Sequence, residues 1–437
     1  MRDILLAVIV AGLLPAILYR PHLGAYAWAW VSLMNPQREA WGFATMLPFA
    51  QMVAIATIVG AVLSRKRHPF PLSPITSVYL AFLFWMSLTS LFALNTPAIV
   101  YARWLFVAKI HVMVFVTLML LRGRKQIDTL IWVVTLSVGF FGIKGGVFTA
   151  VTGGHYRVWG PPSSMIEGNN ELAVALVMLI PFMAYLYQTA GRCVVRWFML
   201  FSIGTSSLAI LGTQSRGALL SLTAMLFVLG LKSRRPVLTS VVLALLLTSA
   251  IAFMPDSWSS RMETIETYEQ DTSAQARIYA WKTLWNLALD RPLTGAGFET
   301  GSEAVFSIYA PRGYGEFTNA TPVAHSIYFQ VLGEHGFPGL AIYLLLGFLT
   351  WRTAGHLARS TRNDAEFGSW VPLLMNASQI SLIGFAVGGA FLALAHFDMS
   401  YYLVAYVVLV NATVRDKQRA LAAVPKPPIH PSPKGAQ

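Results

Sequence analysis

A chain of 437 residues that is 56% hydrophobic and only 12% charged, with mean hydropathy +0.58, is not an ordinary soluble domain. Its recurring apolar runs of roughly 20 residues describe a polytopic helical membrane protein. One cysteine, Cys193, excludes an intrachain disulfide and any zinc site built from several thiolates, and the net charge of +13 has to be read through where the basic residues sit before nucleic acid is invoked.

In chain order, residues 1–41 hold two short apolar runs, 4–19 and 24–34, split by Arg20-Pro21-His22. The first lacks a small-residue cleavage site and leads straight into more apolar sequence, so it reads as retained rather than as a signal peptide. The pair makes either one broken crossing with a cytoplasmic N-terminus or two crossings with an external one; the first is the reading taken here. Further spans are predicted at 42–64, 75–94, 102–121, 128–151, 172–190, 197–213, 217–231, 237–254, 333–351, 369–395 and 399–414, about twelve in all. Basic clusters at 65–67, 122–125, 192–196, 232–235, 352–362 and 415–419 are each separated from the next by two spans, as cytoplasmic loops require. The charge excess is therefore an orientation signal, with membrane lipids as its partner and no nucleic acid.

That topology leaves 153–171 and 255–324 outside. The second segment carries nine acidic against five basic side chains, the reverse of the cytoplasmic bias, and is too long for an idle loop. Within it, Thr272 or Ser273 is predicted to cap a helix running to Leu289, with Arg277, Trp281, Leu284 and Ala288 on one face and Asp290-Arg291-Pro292 as the stop. Such a helix suits the outer membrane-water boundary. The chain divides into a bundle over 1–254, an external loop over 255–324, further spans over 325–414, and a Pro- and Lys-rich cytoplasmic tail over 415–437 expected to be disordered.

Ionisable groups near membrane helices are costly, so each is a candidate for function. Arg216, in "LGTQSRGALL", sits in a tight outer turn: it either snorkels to lipid headgroups or, with the amides at the next helix start, grips an anion. Arg277 either meets headgroups or acidic loop side chains, or pairs with Arg216 to clamp a diphosphate. His325, in "TPVAHSIYFQVLGEHGFPG", is either a polar helix cap or a general base, its ordinary pKa near 6.5 suiting proton removal from a sugar hydroxyl. Glu334 and His335 lie about two and a half turns deeper. The segment "GGHYRVWGPPSSMIEGNNE" offers Arg157, Glu167, Asn169, Asn170 and Glu171 on the same side, while Arg103, Lys109, His111 and Lys144 either extend the basic surface or pair with buried carbonyls. No P-loop, Asp-x-Asp or His-Glu-x-x-His motif is present, and Gly295-Ala296-Gly297 is a turn rather than a nucleotide fingerprint. An enzyme working outside the membrane would need a pre-activated, lipid-carried donor.

The stretches "TQSRGALL" (213–220), "ARIYAWKTLWNLALDRPLTGAGF" (276–298) and "AHSIYFQVLGEHGFPGLAIY" (324–343), in this order and topology, resemble the O-antigen ligase and polymerase superfamily of bacterial membrane glycosyltransferases. The opening 60 residues look like the subgroup of O-glycosylation ligases associated with exosortase systems. What the resemblance implies is a GT-C-like, all-α inner-membrane enzyme that transfers a glycan from undecaprenyl diphosphate on the periplasmic side. It implies no metal and no cofactor. It assigns diphosphate binding to Arg216 and Arg277 and the base role to His325, and leaves Arg157, Asn170, Glu171 and Lys144 as further substrate-binding candidates. The acceptor expected is lipid A-core, with a second lipid-linked repeat or a protein hydroxyl as alternatives. A monomer suffices for this chemistry. A transporter of lipid-linked glycans is the competing class, disfavoured because the candidates gather on the outer face and no repeated halves are evident.

Overall fold

The computed structural model describes residues 1–64, 68–233, 235–256, 258, 272–313 and 321–423. Among these it is helical throughout, with no strand. The helices are α1 (Arg2–Tyr19), α2 (His22–Met34), α3 (Phe49–Leu63), α4 (Pro74–Ser90), α5 (Pro97–Leu120), α6 (Gly123–Thr152), α7 (Asn169–Thr189), α8 (Cys193–Gly212), α9 (Arg216–Leu231), α10 (Pro236–Ala252), α11 (Thr272–Asp290), α12 (Glu303–Tyr309), α13 (Ile327–Ser360), α14 (Trp370–Gly389) and α15 (Asp398–Ala422). Seven of them, α1, α5, α6, α7, α8, α13 and α14, are long and apolar enough to cross a membrane, and α3, α4, α9 and α10 are shorter apolar helices. The protein is an integral membrane protein.

The expected single broken crossing over 1–41 is not what forms. Asp3 at the start of α1 accepts hydrogen bonds from the amides of Gly42 and Ala44, and Arg2 reaches the Glu39 carbonyl. At the other end of α1, the carbonyls of Ile17 and Leu18 lie against Gly60, near the end of α3. Thus α1 and α3 run parallel. Between them α2 runs back, with Gly24 against Thr57 and Tyr26 donating to the Gln126 carbonyl at the start of α6. Arg20-Pro21 is therefore a hairpin turn, and the chain begins at the end of the bundle that holds residues 39–44. The two-residue break permits reversal, the packing of α1 beside α3 selects it, and the small residues of α2 (Gly24, Ala25, Ala27, Ala29) let it nest against its neighbours.

A second departure is the tail. Residues 415–422, expected to be disordered, continue α15 to Ala422, because Asp416 pairs with Arg122 at 3.5 Å and Lys417 pairs with Glu366. Residues 424–437 of the expected tail lie outside the described residues, as do parts of the predicted external loop at 257, 259–271 and 314–320.

α7 and the first half of α15 form the middle of the bundle, buried along nearly their whole length, whereas α10 has no buried residue. Close approach is built on small residues: a Cβ on Gly146 of α6 would sit 2.0 Å from the Thr205 carbonyl of α8, and one on Gly212 2.0 Å from Thr149. Basic clusters meet at one end, where Arg122 joins Asp416 and Lys232 donates to Asn376 and Gln379. The turns that carry the candidate side chains close the other end.

Candidate functional site

Helix α9 begins at a turn made by Thr213, Gln214 and Ser215. Gln214 takes a left-handed φ of 55°, and Ser215 caps the helix by accepting from the Ala218 amide at 3.2 Å. That leaves Arg216 as the first helical residue, half-buried, at the positive end of the helix dipole.

The 153–168 segment is docked on this turn. The Val158 amide donates to the Gly212 carbonyl at 3.0 Å, the Asn169 side chain donates to the Thr213 carbonyl at 2.8 Å, and Arg157 donates to Gln214 Oε1 at 3.3 Å. Arg157 therefore meets the turn two residues before Arg216. Asn169, Asn170 and Glu171 form the first turn of α7, and Glu171 folds back so tightly over Gly168 that a Cβ there would lie 2.0 Å from its carboxylate. The Asn that fastens the segment is Asn169; its neighbour Asn170 is half-buried.

Across from α7 stands α11, over the predicted range. Its buried face is Tyr279, Ala280, Thr283, Leu284, Leu287 and Ala288, so the expected stripe is displaced slightly, with Arg277 and Trp281 half-buried at its margin. This face does not simply lie on a membrane boundary. It closes a small core with Ala296, Val305, Phe306 and Ala324, and Leu284 packs on Gly333 of α13.

The same packing sets His325. Trp281 donates its indole N–H to the Ala324 carbonyl at 2.7 Å and stacks on Phe329 at 5.3 Å. Ser326 caps α13, and His325 just before it is held at φ 42°, a region that costs a non-glycine residue about 1–3 kcal/mol. Burial, and secondarily the Arg277 guanidinium, hold the His325 pKa below its ordinary 6.5, so the imidazole is neutral at neutral pH and able to accept a proton. Arg277 also lies within electrostatic reach of Glu171. One guanidinium thus faces a neutral imidazole and a carboxylate, and the first turn of α7 links that group to the Arg216 turn.

Other candidates are drawn elsewhere. Lys144 is exposed and pairs with Glu39 at 3.3 Å, Arg103 pairs with Glu299 at 3.3 Å, and His111 meets the Tyr79 hydroxyl at 2.7 Å. Glu334 and His335 are buried in α13, away from solvent. Gly295-Ala296-Gly297 is indeed a turn, with φ of 60° at Gly295 and 70° at Gly297. It also docks: the amides of Ala296 and Gly297 donate to the carbonyls of Gly333 and Glu334. Sequence reasoning missed Gln214 as a joint of the site, and named Asn169 only as one of several polar residues in the 153–171 segment, without its role in fastening that segment to the Thr213 carbonyl.

Residues 198–344, which contain Arg216, α11 and His325, match the O-antigen ligase family, and residues 1–191 match a family of unknown function. No curated protein matches the chain.

Proposed function

The chain carries an O-antigen ligase family domain, a membrane glycosyltransferase-like ligase in general terms, and from that premise we propose that it transfers a glycan from undecaprenyl diphosphate to lipid A-core on the periplasmic face of the inner membrane. The observation that carries this reading is the placing of Arg277 beside a neutral, half-buried His325, at the end of the bundle opposite the basic clusters.

In the proposed reaction the donor's diphosphate lies against Arg216 and Arg277. Guanidinium groups suit it because they stay charged and present a planar fork to phosphate oxygens. His325 takes the proton of the acceptor hydroxyl as that oxygen attacks the anomeric carbon. The glycosyl–phosphate bond breaks, and the electron pair leaves with the diphosphate, whose growing charge the arginines stabilise. A single displacement of this kind inverts the anomeric centre. Arg157 and Glu171 border the donor's path, Glu171 within electrostatic reach of Arg277. No step calls on a metal or cofactor.

The decisive experiment supplies purified protein with undecaprenyl-diphosphate-linked glycan and lipid A-core, without nucleotide or added metal. Product from wild type that is missing with His325→Ala supports the assignment. If wild type is inactive on lipid A-core but glycosylates a protein or extends a second lipid-linked repeat, the acceptor assignment fails and those alternatives replace it. Movement of the lipid-linked glycan without bond formation would place the chain among transporters instead.

A further inference from the structure

Glu334, His335 and His396 bring one ligand atom each within 4.8 Å of one another, and all three side chains are almost wholly buried, at 3%, 0% and 1% exposure. Glu334 Oε2 lies 2.8 Å from His396 Nε2 and 3.8 Å from His335 Nε2. They come from two elements: the first two from α13 just before it bends at Gly336, the third from the turn between α14 and α15.

Proton bookkeeping separates this cluster from an ordinary hydrogen-bonded network. His335 Nδ1 lies 2.8 Å from the Thr89 hydroxyl. That hydroxyl is within 3.1 Å of the Trp85 and Met86 carbonyls, to which a helical threonine donates its single proton. Thr89 then accepts from His335 Nδ1–H, and the lone pair of His335 falls on Nε2. This nitrogen is buried, has no hydrogen-bond partner, and faces a carboxylate oxygen. Two electron-rich atoms confronting each other in a dry site are relieved by a proton or a metal ion between them, and the 3.8 Å gap is longer than a hydrogen bond spans.

We propose that Glu334, His335 and His396 bind a first-row divalent transition-metal ion, zinc above all. One carboxylate oxygen and two imidazole nitrogens are the donor set such ions take. Two of the three have the support that metal ligands take: Thr89 fixes the His335 tautomer, and Gln330 donates to Glu334 Oε1 while accepting from the Ala395 amide beside His396. Phe298 packs edge-on against both imidazoles at 4.9 and 5.3 Å. The role is structural. The ion ties the bend of α13, on which the 292–297 segment docks, to the turn entering α15, and so steadies the helix that His325 precedes.

The test is metal content, independent of any activity. Full-length protein, with any polyhistidine tag removed, is purified in detergent without chelator, incubated with zinc chloride, desalted and assayed for manganese through zinc by mass spectrometry. About one metal ion per chain is expected, falling to background in His396→Gln and in Glu334→Gln. The cobalt-loaded protein should show visible bands that the same variants lose. Wild type holding less than about a tenth of an equivalent after zinc loading overturns the proposal, as does stoichiometric metal that persists in both variants. Wild type alone decides the first point, should the variants fail to fold.

Discussion

Two groups of titratable side chains sit within ten residues of each other along one helix and its entry, and they have opposite characters. Around His325 the groups are half-buried, the backbone is strained at φ 42°, and the neighbouring guanidinium comes from a separate loop helix. Around Glu334 the groups are sealed from solvent and cross-linked to α4, the 292–297 turn and the α14–α15 turn. A strained, partly accessible imidazole beside two packed aromatics suits the proposed base, whereas a sealed one suits the proposed metal ligand. Proximity in sequence says nothing about which role a histidine takes; access and partners decide it.

Five outcomes test that contrast, the largest first. His325→Ala should lower glycan transfer by about 10²–10⁴-fold, the usual worth of a general base. His325→Gly should do the same while stabilising the fold by up to about 1 kcal/mol, since glycine tolerates positive φ; a fall in thermal stability comparable to the fall in rate would return His325 to a capping role. Gly336→Ala should act the other way. A Cβ there would lie 2.5 Å from the Pro292 carbonyl at φ 68°, so several degrees of thermal stability should be lost, by a mechanism worth about 1–3 kcal/mol. Retained stability in a fluorescence melt would mean the docked turn is slack.

Arg216→Lys should reduce turnover roughly 10-fold or more, because a point charge cannot reproduce the fork; unimpaired kinetics would count against the clamp. The smallest effect concerns pH. A base held below 6.5 keeps its activity until the pH falls through that lowered value, so the acid limb of kcat/KM should lie below 6.5. Replacing Arg277 by Gln removes one of the two causes of the lowering, and the limb of the residual activity should move upward, toward 6.5. An unmoved limb would separate the two residues.

Much of the fold was legible because hydrophobic length and charge placement are local properties. Each span predicted after residue 41 falls on a helix, and the Asp290-Arg291-Pro292 stop ends α11 where expected. The hairpin at Arg20-Pro21 was not legible, since a two-residue break permits either continuation or reversal, and only the packing of α1 beside α3 selects one. Nor was the end of α15, which ion pairs with Arg122 and Glu366 extend past residue 415.

By itself the sequence determined the membrane class, the order of the helices, and which arginines and histidine stand at the turns opposite the basic clusters. Only the tertiary structure decided which of them meet. Arg277 was brought to His325 and Glu171, Arg157 to the Arg216 turn through Gln214, and Lys144 to Glu39. It also joined His396 to Glu334 across 62 residues of chain, a pairing with no local signature. The physical reason is the same in each case: helix formation depends on neighbours a few residues away, whereas the meeting of polar groups depends on the packing of whole helices.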